Sequence, residues 1–272
     1  MGNFTISGFA DEIDSSLTVQ MDELEKLNLR HIEMRGVNGK NLMDHTTADI
    51  RAIKKALDQR GFRISAVGSP FGKTKIGETF DKDQAYLEKA IEAAQILETK
   101  HIRVFSFFLP EDQPAEQFRS EIFRRYEYCL NRLQKANLVF LQENETGTYG
   151  ATVERCLDLM EHFNSPHLKM TMDLGNFVKS GVKDNLDAVK TLKDHVHYIH
   201  VKDAIFGQAH FVPFGEGEGK AIEVLNYLKT QPRDYFLSIE AHLQYLPLTG
   251  PQQFQKAHAA LLKVLSAVPG HS

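Results

Sequence analysis

Four ionisable residues stand at the ends of four short apolar segments in the second half of the chain. They are Glu143, Asp173, His200 and Glu240. Each has an ordinary interpretation by itself: a loop carboxylate, a turn residue that binds backbone amides, a hydrogen-bonded core histidine, and the partner of a nearby lysine. Together in one place, without a cation, they would each cost several kcal/mol in desolvation and mutual repulsion. A bound divalent metal ion removes that cost.

The type of ligand indicates which ion would bind. Three carboxylates and one imidazole form a fairly hard ligand set, which suits Mn²⁺, Mg²⁺ or Co²⁺ and also admits Zn²⁺. A coordination number above four leaves positions for two substrate oxygens. The sequence therefore predicts one divalent metal ion as the cofactor, held by Glu143, Asp173, His200 and Glu240.

These residues end the last four of eight strand candidates, which alternate with amphipathic stretches along the whole chain. The candidates are Phe4–Phe9, His31–Arg35, Arg63–Gly68, His101–Phe107, Leu138–Glu143, Leu168–Asp173, His197–Val201 and Phe236–Glu240. Eight units in 272 residues average about 34 residues each, close to the size of one strand, one loop and one helix. This favours an α/β protein with a single (β/α)8 TIM-barrel domain over residues 1–272, in which the strand C-termini meet on one rim. A doubly wound sheet would usually begin with a glycine-rich turn, which the first strand here lacks.

Composition excludes several other classes of protein. Lysine and arginine total 32 against 36 acids, a net charge of −4, so no basic excess is available to bind nucleic acid. No apolar run approaches the ~20 residues needed to cross a membrane, and the N-terminus lacks the pattern of a secretory signal. We therefore expect a cytoplasmic protein that contacts neither nucleic acid nor membrane. Cys129 and Cys156 have no disulfide or zinc spacing, and we expect them in the core.

Four short motifs carry a resemblance to a known family. They are Glu143-Asn144-Glu145, Asp173-x-x-Asn176, His200-Val-Lys202-Asp203 followed by Gly-Glu-Gly-Glu-Gly at 215–219, and Ile239-Glu240. The whole chain resembles the xylose isomerase-like barrels, which include sugar phosphate isomerases and epimerases, ketose 3-epimerases, inosose dehydratase and endonuclease IV. The resemblance implies that Glu143, Asp173, His200 and Glu240 hold a single metal ion. Since family members are often dimers or tetramers, it also leaves a homo-oligomer open.

Two departures from the family narrow the function. Ketose epimerases often have a histidine where this chain has Asn176, whose amide orients hydroxyls but transfers no proton at neutral pH. Endonuclease IV needs further histidines after the third and fourth strands, and residues 67–70 and 105–108 contain none. An endonuclease acting on abasic DNA is therefore disfavoured.

The predicted function is that of a divalent-metal-dependent isomerase or epimerase in carbohydrate metabolism. Its substrate would be a small sugar, sugar phosphate or polyol ketone, and the reaction would pass through a metal-stabilised enediolate. Glu143 and Glu240 are the predicted acid/base pair. One alternative is an inosose-type dehydratase that uses the same metal site. Another is a barrel that binds sugar or metal without catalysis.

Further rim residues are expected around the metal. The predicted substrate-binding residues are Arg35, Lys73, Asn176, Lys202 and His210. Asp203 or a backbone carbonyl is expected to fix the tautomer of His200, and Glu145 to support the site from outside the ligand set. Each cation also has a simpler interpretation, as an ion-pair partner of rim acids or as a solvated side chain.

The segment Gly215–Gly219 lies where backbone amides of such barrels often hold phosphate. Its two glutamates would repel a phosphate group. The segment by itself therefore favours an uncharged sugar or a cyclic polyol ketone.

Overall fold

The computed structural model describes residues 2–269. Its centre is a sheet of eight parallel strands: β1 Phe4–Gly8, β2 His31–Met34, β3 Arg63–Gly68, β4 His101–Val104, β5 Val139–Glu143, β6 Leu168–Asp173, β7 Val196–Val201 and β8 Tyr235–Ile239. Their hydrogen-bonded order is β1-β8-β7-β6-β5-β4-β3-β2. β1 and β2, the two ends of this order, contact each other, so the sheet forms a nearly closed barrel. The predicted (β/α)8 fold is confirmed.

Helices follow the strands around the outside of the barrel. They are α1 Leu17–Lys26, α2 Thr47–Gln59, α3 Asp81–Ile96, α4 Arg119–Ala136, α5 Val153–Phe163, α6 Leu174–Lys179, α7 Asn185–Leu192, α8 Ala221–Lys229 and α9 Gly250–Ser266. Two short hairpins, Gly36–Val37 with Lys40–Asn41 and Asp203–Ala204 with Phe211–Val212, extend the loops after β2 and β7. None of the helices in residues 2–269 is long and apolar enough to cross a bilayer.

The second helix shows how sequence determines an element. Thr46 and Asp49 form a capping box in which each side chain accepts a hydrogen bond from the backbone of the other, so α2 begins at Thr47. Its apolar residues recur at helical spacing, and Ile50, Ile53 and Leu57 are buried against the barrel. The two cysteines are free and buried in α4 and α5, as expected.

The fourth strand ends earlier than the sequence predicts. It stops at Val104 rather than at Phe107. After that point the amides of Phe105 and Phe107 donate to the carbonyls of Phe71 and Gly72 in the preceding loop, and Phe107 has a left-handed φ of 65°. A strand cannot continue through that conformation.

The register of the barrel aligns the ends of its last strands. Asp173 and His200 are direct partners in the β6–β7 ladder, and Ser238 of β8 lies opposite His200 on the other side. Glu143 ends β5, and Glu240 directly follows β8. The four predicted ligands therefore reach the same end of the barrel.

Candidate metal centre

The four predicted ligands converge in space. Each of Glu143, Asp173, His200 and Glu240 is buried and offers one ligand atom, and these atoms all lie within 4.8 Å of one another. His200 Nδ1 is 3.0 Å from Glu143 Oε1, 3.8 Å from Asp173 Oδ2 and 3.9 Å from Glu240 Oε2. The imidazole thus faces a carboxylate from each of the three other strand ends.

Two buried atoms in this cluster fit a metal ion. His200 Nδ1 and Asp173 Oδ2 are buried and make no hydrogen bond. Lys202 Nζ lies 3.1 Å from Asp173 Oδ2 as an ion pair. Buried polar atoms without a hydrogen bond are costly, and a divalent cation with mixed oxygen and nitrogen ligands would supply a partner to both. The donor set therefore fits the ion that the sequence predicts.

The two carboxylate oxygens of Asp173 face different partners. Its Oδ1 accepts a hydrogen bond from the Asn176 amide (2.8 Å) and so caps α6, while Oδ2 faces the cluster. The side chain of Asn144 bonds to both the N–H and the carbonyl of Asp173, each at 2.8 Å. These bonds fix the end of β6 against the end of β5, which holds the carboxylate in place.

The second nitrogen of His200 is held by Glu33, a residue that the sequence analysis did not select. Glu33 is fully buried on β2, and its Oε2 lies 3.1 Å from His200 Nε2. Arg103 Nε lies 3.5 Å from Glu33 and 3.4 Å from Glu143. The ring of Phe9 packs edge-on against the imidazole at 5.1 Å. In the sequence, Glu33 and Arg103 each lie between two apolar residues of a predicted strand, as His200 does. This pattern could have identified them as candidates.

Asp203 does not fix the tautomer of His200, and that prediction is wrong. Side chains alternate along β7 and the extended backbone that follows it, so His200 and Lys202 point to one face while Asp203 points to the other. Its carboxylate accepts hydrogen bonds from the amides of Ala204, Gly215, Gly217 and Gly219. Asp203 therefore organises the glycine-rich loop instead.

Glu240 is surrounded by cationic groups. Lys202 Nζ lies 2.6 Å from its Oε2, and Arg35 and His242 lie 3.1 and 3.2 Å from its Oε1. Burial raises the pKa of Glu240, but Lys202 and the other cations outweigh burial and hold this pKa well below its usual range. Glu240 is thus ionised and held in one position.

The other cluster acids titrate differently. Burial raises the pKa of Glu143, but the charges of His200 and Arg103 bring it down to about 2. Burial raises the pKa of Asp173 to about 7, although Lys202 opposes this shift. Burial opposes charge on His200, yet Glu143 and Glu33 hold its pKa well above the usual value. The electrostatic field therefore favours added positive charge near Asp173.

The predicted substrate-binding residues separate into two groups. Arg35 and Lys202 contact Glu240, and Asn176 Nδ2 donates to Glu143 Oε1 at 3.1 Å. Lys73 is half exposed, lies over the ring of Phe105 and pairs with Glu145 at 3.5 Å.

His210 is less closely placed. It is exposed and packs against the ring of Tyr245 at 4.2 Å rather than against the four cluster residues. The prediction that it binds substrate has no contact in support within residues 2–269.

Comparisons with known proteins match this architecture. A family model described as the xylose isomerase-like TIM barrel matches residues 21–264. A 3-dehydroshikimate dehydratase of Bacillus anthracis is 22% identical over 172 residues, which is 63% of this chain and 61% of that relative. The matched part is thus less than two thirds of the relative's length.

Solved structures share the fold over nearly the whole chain. The IOLI protein with a bound zinc atom has a TM-score of 0.82 at 16% identity, and covers 98% of this chain and 99% of its own. A D-tagatose 3-epimerase-like protein has a TM-score of 0.77 at 21% identity, with 98% of both chains covered. At these identities the likeness is one of fold.

Proposed function

Because the chain belongs to the xylose isomerase-like TIM barrel family, we propose that it is a metal-dependent isomerase or epimerase acting on a small sugar or polyol ketone. The observation that carries this proposal is the convergence of Glu143, Asp173, His200 and Glu240 within 4.8 Å at the ends of four adjacent strands. In this proposal the four residues are the metal ligands.

A divalent ion in this cluster would supply Lewis-acid polarisation of a bound ketone, which acidifies the hydrogen on the neighbouring carbon. Glu143 and Glu240 are the proposed acid/base pair: one carboxylate removes the proton, and the other, which is ionised at rest, takes up a proton from solvent before it supplies it. They lie on strands separated by β6 and β7, so two carboxylates reach the cluster from different directions. A proton taken by one carboxylate and supplied by the other inverts the carbon, whereas relay between adjacent carbons exchanges ketose and aldose.

The neighbouring residues control the position of these two acids. Asn176 donates to Glu143, and Lys202 and Arg35 hold the two oxygens of Glu240. The buried Lys202 ammonium also places positive charge beside the reacting carbon, where negative charge develops during deprotonation. Phe9 closes the inner side of the cluster with an apolar ring.

A dehydratase is the second candidate, and the observation that favours it is the named reaction of the Bacillus anthracis relative. The first step would be the same proton removal. The C–O bond to a hydroxyl one carbon further along then breaks, and the leaving oxygen takes a proton and departs as water. Both candidates use the same residues.

The test is hydrogen exchange in deuterated water, followed by NMR, on the manganese-loaded protein with ketohexoses and inososes as substrates. Deuterium incorporation without loss of oxygen supports the isomerase or epimerase, and release of water supports the dehydratase. Glu240→Gln is expected to lower exchange by about 10²–10⁴-fold, while Glu154→Gln on the exposed face of α5 leaves it unchanged. Binding of these ketones without any exchange would refute both candidates and indicate a binding protein.

A further inference from the structure

We propose that the site takes an uncharged polyhydroxy ketone and rejects phosphate esters and carboxylates of the same size. This inference rests on the proposed function and names its substrate class. It follows from two separate features, the glycine-rich loop after β7 and the pairing of the cations on the rim.

The amides of the glycine-rich loop are already occupied by a carboxylate of the protein. Asp203 Oδ1 accepts from Ala204 N at 2.8 Å and Gly219 N at 2.9 Å, and Oδ2 accepts from Gly215 N at 3.1 Å and Gly217 N at 3.2 Å. Asp203 is fully buried. Converging backbone N–H groups are the usual anion site of such a loop. Here the anion is internal, so these amides are not available to a substrate phosphate.

The glycines of this loop are required by that internal contact. A Cβ atom at Gly217 or Gly219 would lie 2.5 or 2.6 Å from Asp203 Oδ1. No side chain fits at such a distance. The spacing Gly-Glu-Gly-Glu-Gly therefore brings the backbone onto Asp203, while Glu216 and Glu218 are exposed.

The lysine and arginine side chains nearest the four cluster residues are paired with acids of the protein. Arg35 binds Asp11, Glu12 and Glu240. The remaining pairs are Lys202 with Asp173 and Glu240, Arg103 with Glu33 and Glu143, and Lys73 with Glu145. Lys179 donates instead to the carbonyls of Gln208 and Ala209. Among residues 2–269, each of these cations already has a partner in the protein that a substrate anion would have to displace.

The charge balance of these ion pairs points in the same direction. Seven carboxylates take part: Asp11, Glu12, Glu33, Glu143, Glu145, Asp173 and Glu240. Four lysine and arginine side chains and the protonated His242 pair with them, so a bound divalent ion brings these groups to a net charge of about zero rather than to a positive charge. An added phosphate or carboxylate would be desolvated with no surplus positive charge to balance it, which is unfavourable.

Uncharged hydroxyls, by contrast, have a partner in the site. Asn176 Oδ1 is buried and makes no hydrogen bond, while its Nδ2 is fixed on Glu143. It can accept a bond from a substrate hydroxyl. The ring of Phe211 lies 4.3 Å from Lys202 Nζ, and supplies an apolar wall next to the cluster that suits the C–H face of a sugar.

The first test compares matched substrates on the manganese-loaded protein. D-fructose is set against D-fructose 6-phosphate, and scyllo-inosose against 3-dehydroshikimate, a cyclic ketone that carries a carboxylate. Hydrogen exchange and calorimetric binding are measured for each. We expect the uncharged member of at least one pair to have a kcat/KM about tenfold higher or more. Equal or faster turnover of an anionic member overturns the inference.

The two proposals can fail separately in this test. Uncharged ketones that bind without exchange refute the proposed function and leave the substrate class supported. Exchange confined to anionic substrates supports the function and refutes the substrate class. Binding of neither class counts against both proposals.

The second test uses inorganic phosphate and the thermal stability of the protein. In Asp203→Ala the loop amides become free, and we expect phosphate to raise the Tm by about 2–4 °C. The wild type and the control Asp49→Ala, which loses the capping-box carboxylate of α2, are expected to show no such shift. A phosphate-dependent rise in the wild type overturns the inference, even if Asp203→Ala does not fold.

Discussion

Glu33 and His200 lie 167 residues apart in the chain, yet Glu33 Oε2 is 3.1 Å from His200 Nε2 across the interior of the barrel. Neither side chain has any exposed surface. When a metal ion displaces one proton of the imidazolium, donation from Nε2 to Glu33 leaves the lone pair on Nδ1, the nitrogen that faces the three predicted carboxylate ligands. Glu33 therefore determines which nitrogen of His200 is available to a metal ion.

The Glu33 contact predicts an effect on metal affinity. In Glu33→Gln the carboxylate that makes the imidazole more basic is lost, and we expect Mn²⁺ to bind about 10–100-fold more weakly. Titration calorimetry on the metal-free protein measures this, with the exposed Glu223→Gln of α8 as control. Unchanged affinity in a folded Glu33→Gln protein would show that Glu33 does not position His200.

From the ion pairs of Lys202 we predict that a bound metal ion affects the stability of the protein. The Lys202 ammonium pairs with two buried carboxylates, Asp173 and Glu240. In the metal-free protein, Lys202→Gln leaves Asp173 without its lysine partner and removes one of three cations around Glu240, and we expect the free energy of unfolding to fall by about 3–5 kcal/mol. Denaturant unfolding with and without Mn²⁺ is the measurement, and the ion should restore more stability to the variant than to the wild type.

The control for this experiment is Lys220→Gln. Lys220 pairs with Asp184, and the two side chains are 39% and 46% exposed. We expect that substitution to change stability by less than about 1 kcal/mol. Equal losses in the two variants would contradict the role given to the buried pair.

His197 predicts a dependence of stability on pH. Burial, together with the charges of Arg233 and Lys169, lowers the pKa of His197 to about 3 in the folded protein. The unfolded chain protonates this histidine near its ordinary pKa of about 6.5. Between those two values the unfolded state binds a proton that the folded state does not, so stability falls as the pH decreases.

The measurement is the free energy of unfolding of wild type and His197→Gln from pH 8 to pH 4.5. Below pH 6.5 the free energy of unfolding of the variant should change less steeply with pH than that of the wild type, by the equivalent of up to one bound proton. Above pH 7.5 the two slopes should be the same. Parallel slopes at all pH values would mean that His197 is protonated in the folded state.

Gly72 predicts a large local effect beside β4. It has a φ of +75°, and a Cβ atom there would lie 2.1 Å from the carbonyl oxygen of Phe105. Gly61 has a similar φ of +71° with nothing within 4 Å. We expect Gly61→Ala to cost about 1–2 kcal/mol from its left-handed conformation alone, and Gly72→Ala more than about 3 kcal/mol because backbone must also move. Similar losses on denaturant unfolding would contradict the close packing at Gly72.

Much of this architecture could be predicted from local sequence. Eight strand candidates coincide with the eight strands of the barrel, with ends that shift by one residue in most of them. Short apolar runs that alternate with helical periodicity suffice for this, because parallel strands need a crossover between each pair. The end of β4 was misjudged because apolar residues 105–107 leave the sheet to bond with the preceding loop.

The site could be predicted only where its residues lie at strand ends. Glu143, Asp173, His200 and Glu240 were found because parallel strands bring their C-termini together. Glu33 and Arg103 were missed because they act from within strands on the first half of the chain, and only the closed barrel brings them opposite His200. The role predicted for Asp203 is wrong because Asp203 is near His200 in sequence but its side chain points to the opposite face of the strand.

The ion pairs of Arg35 also bear on how the barrel is closed. The hydrogen-bonded order of strands has its two ends at β1 and β2, and Arg35 directly follows β2. Its guanidinium reaches Asp11 and Glu12 after β1 and Glu240 after β8. The ion pairs of Arg35 thus link the two end strands of the sheet. One of these pairs is with Glu240, a proposed catalytic carboxylate. Loss of this one arginine would remove both the charge that links the two end strands and one of the three cations that hold Glu240.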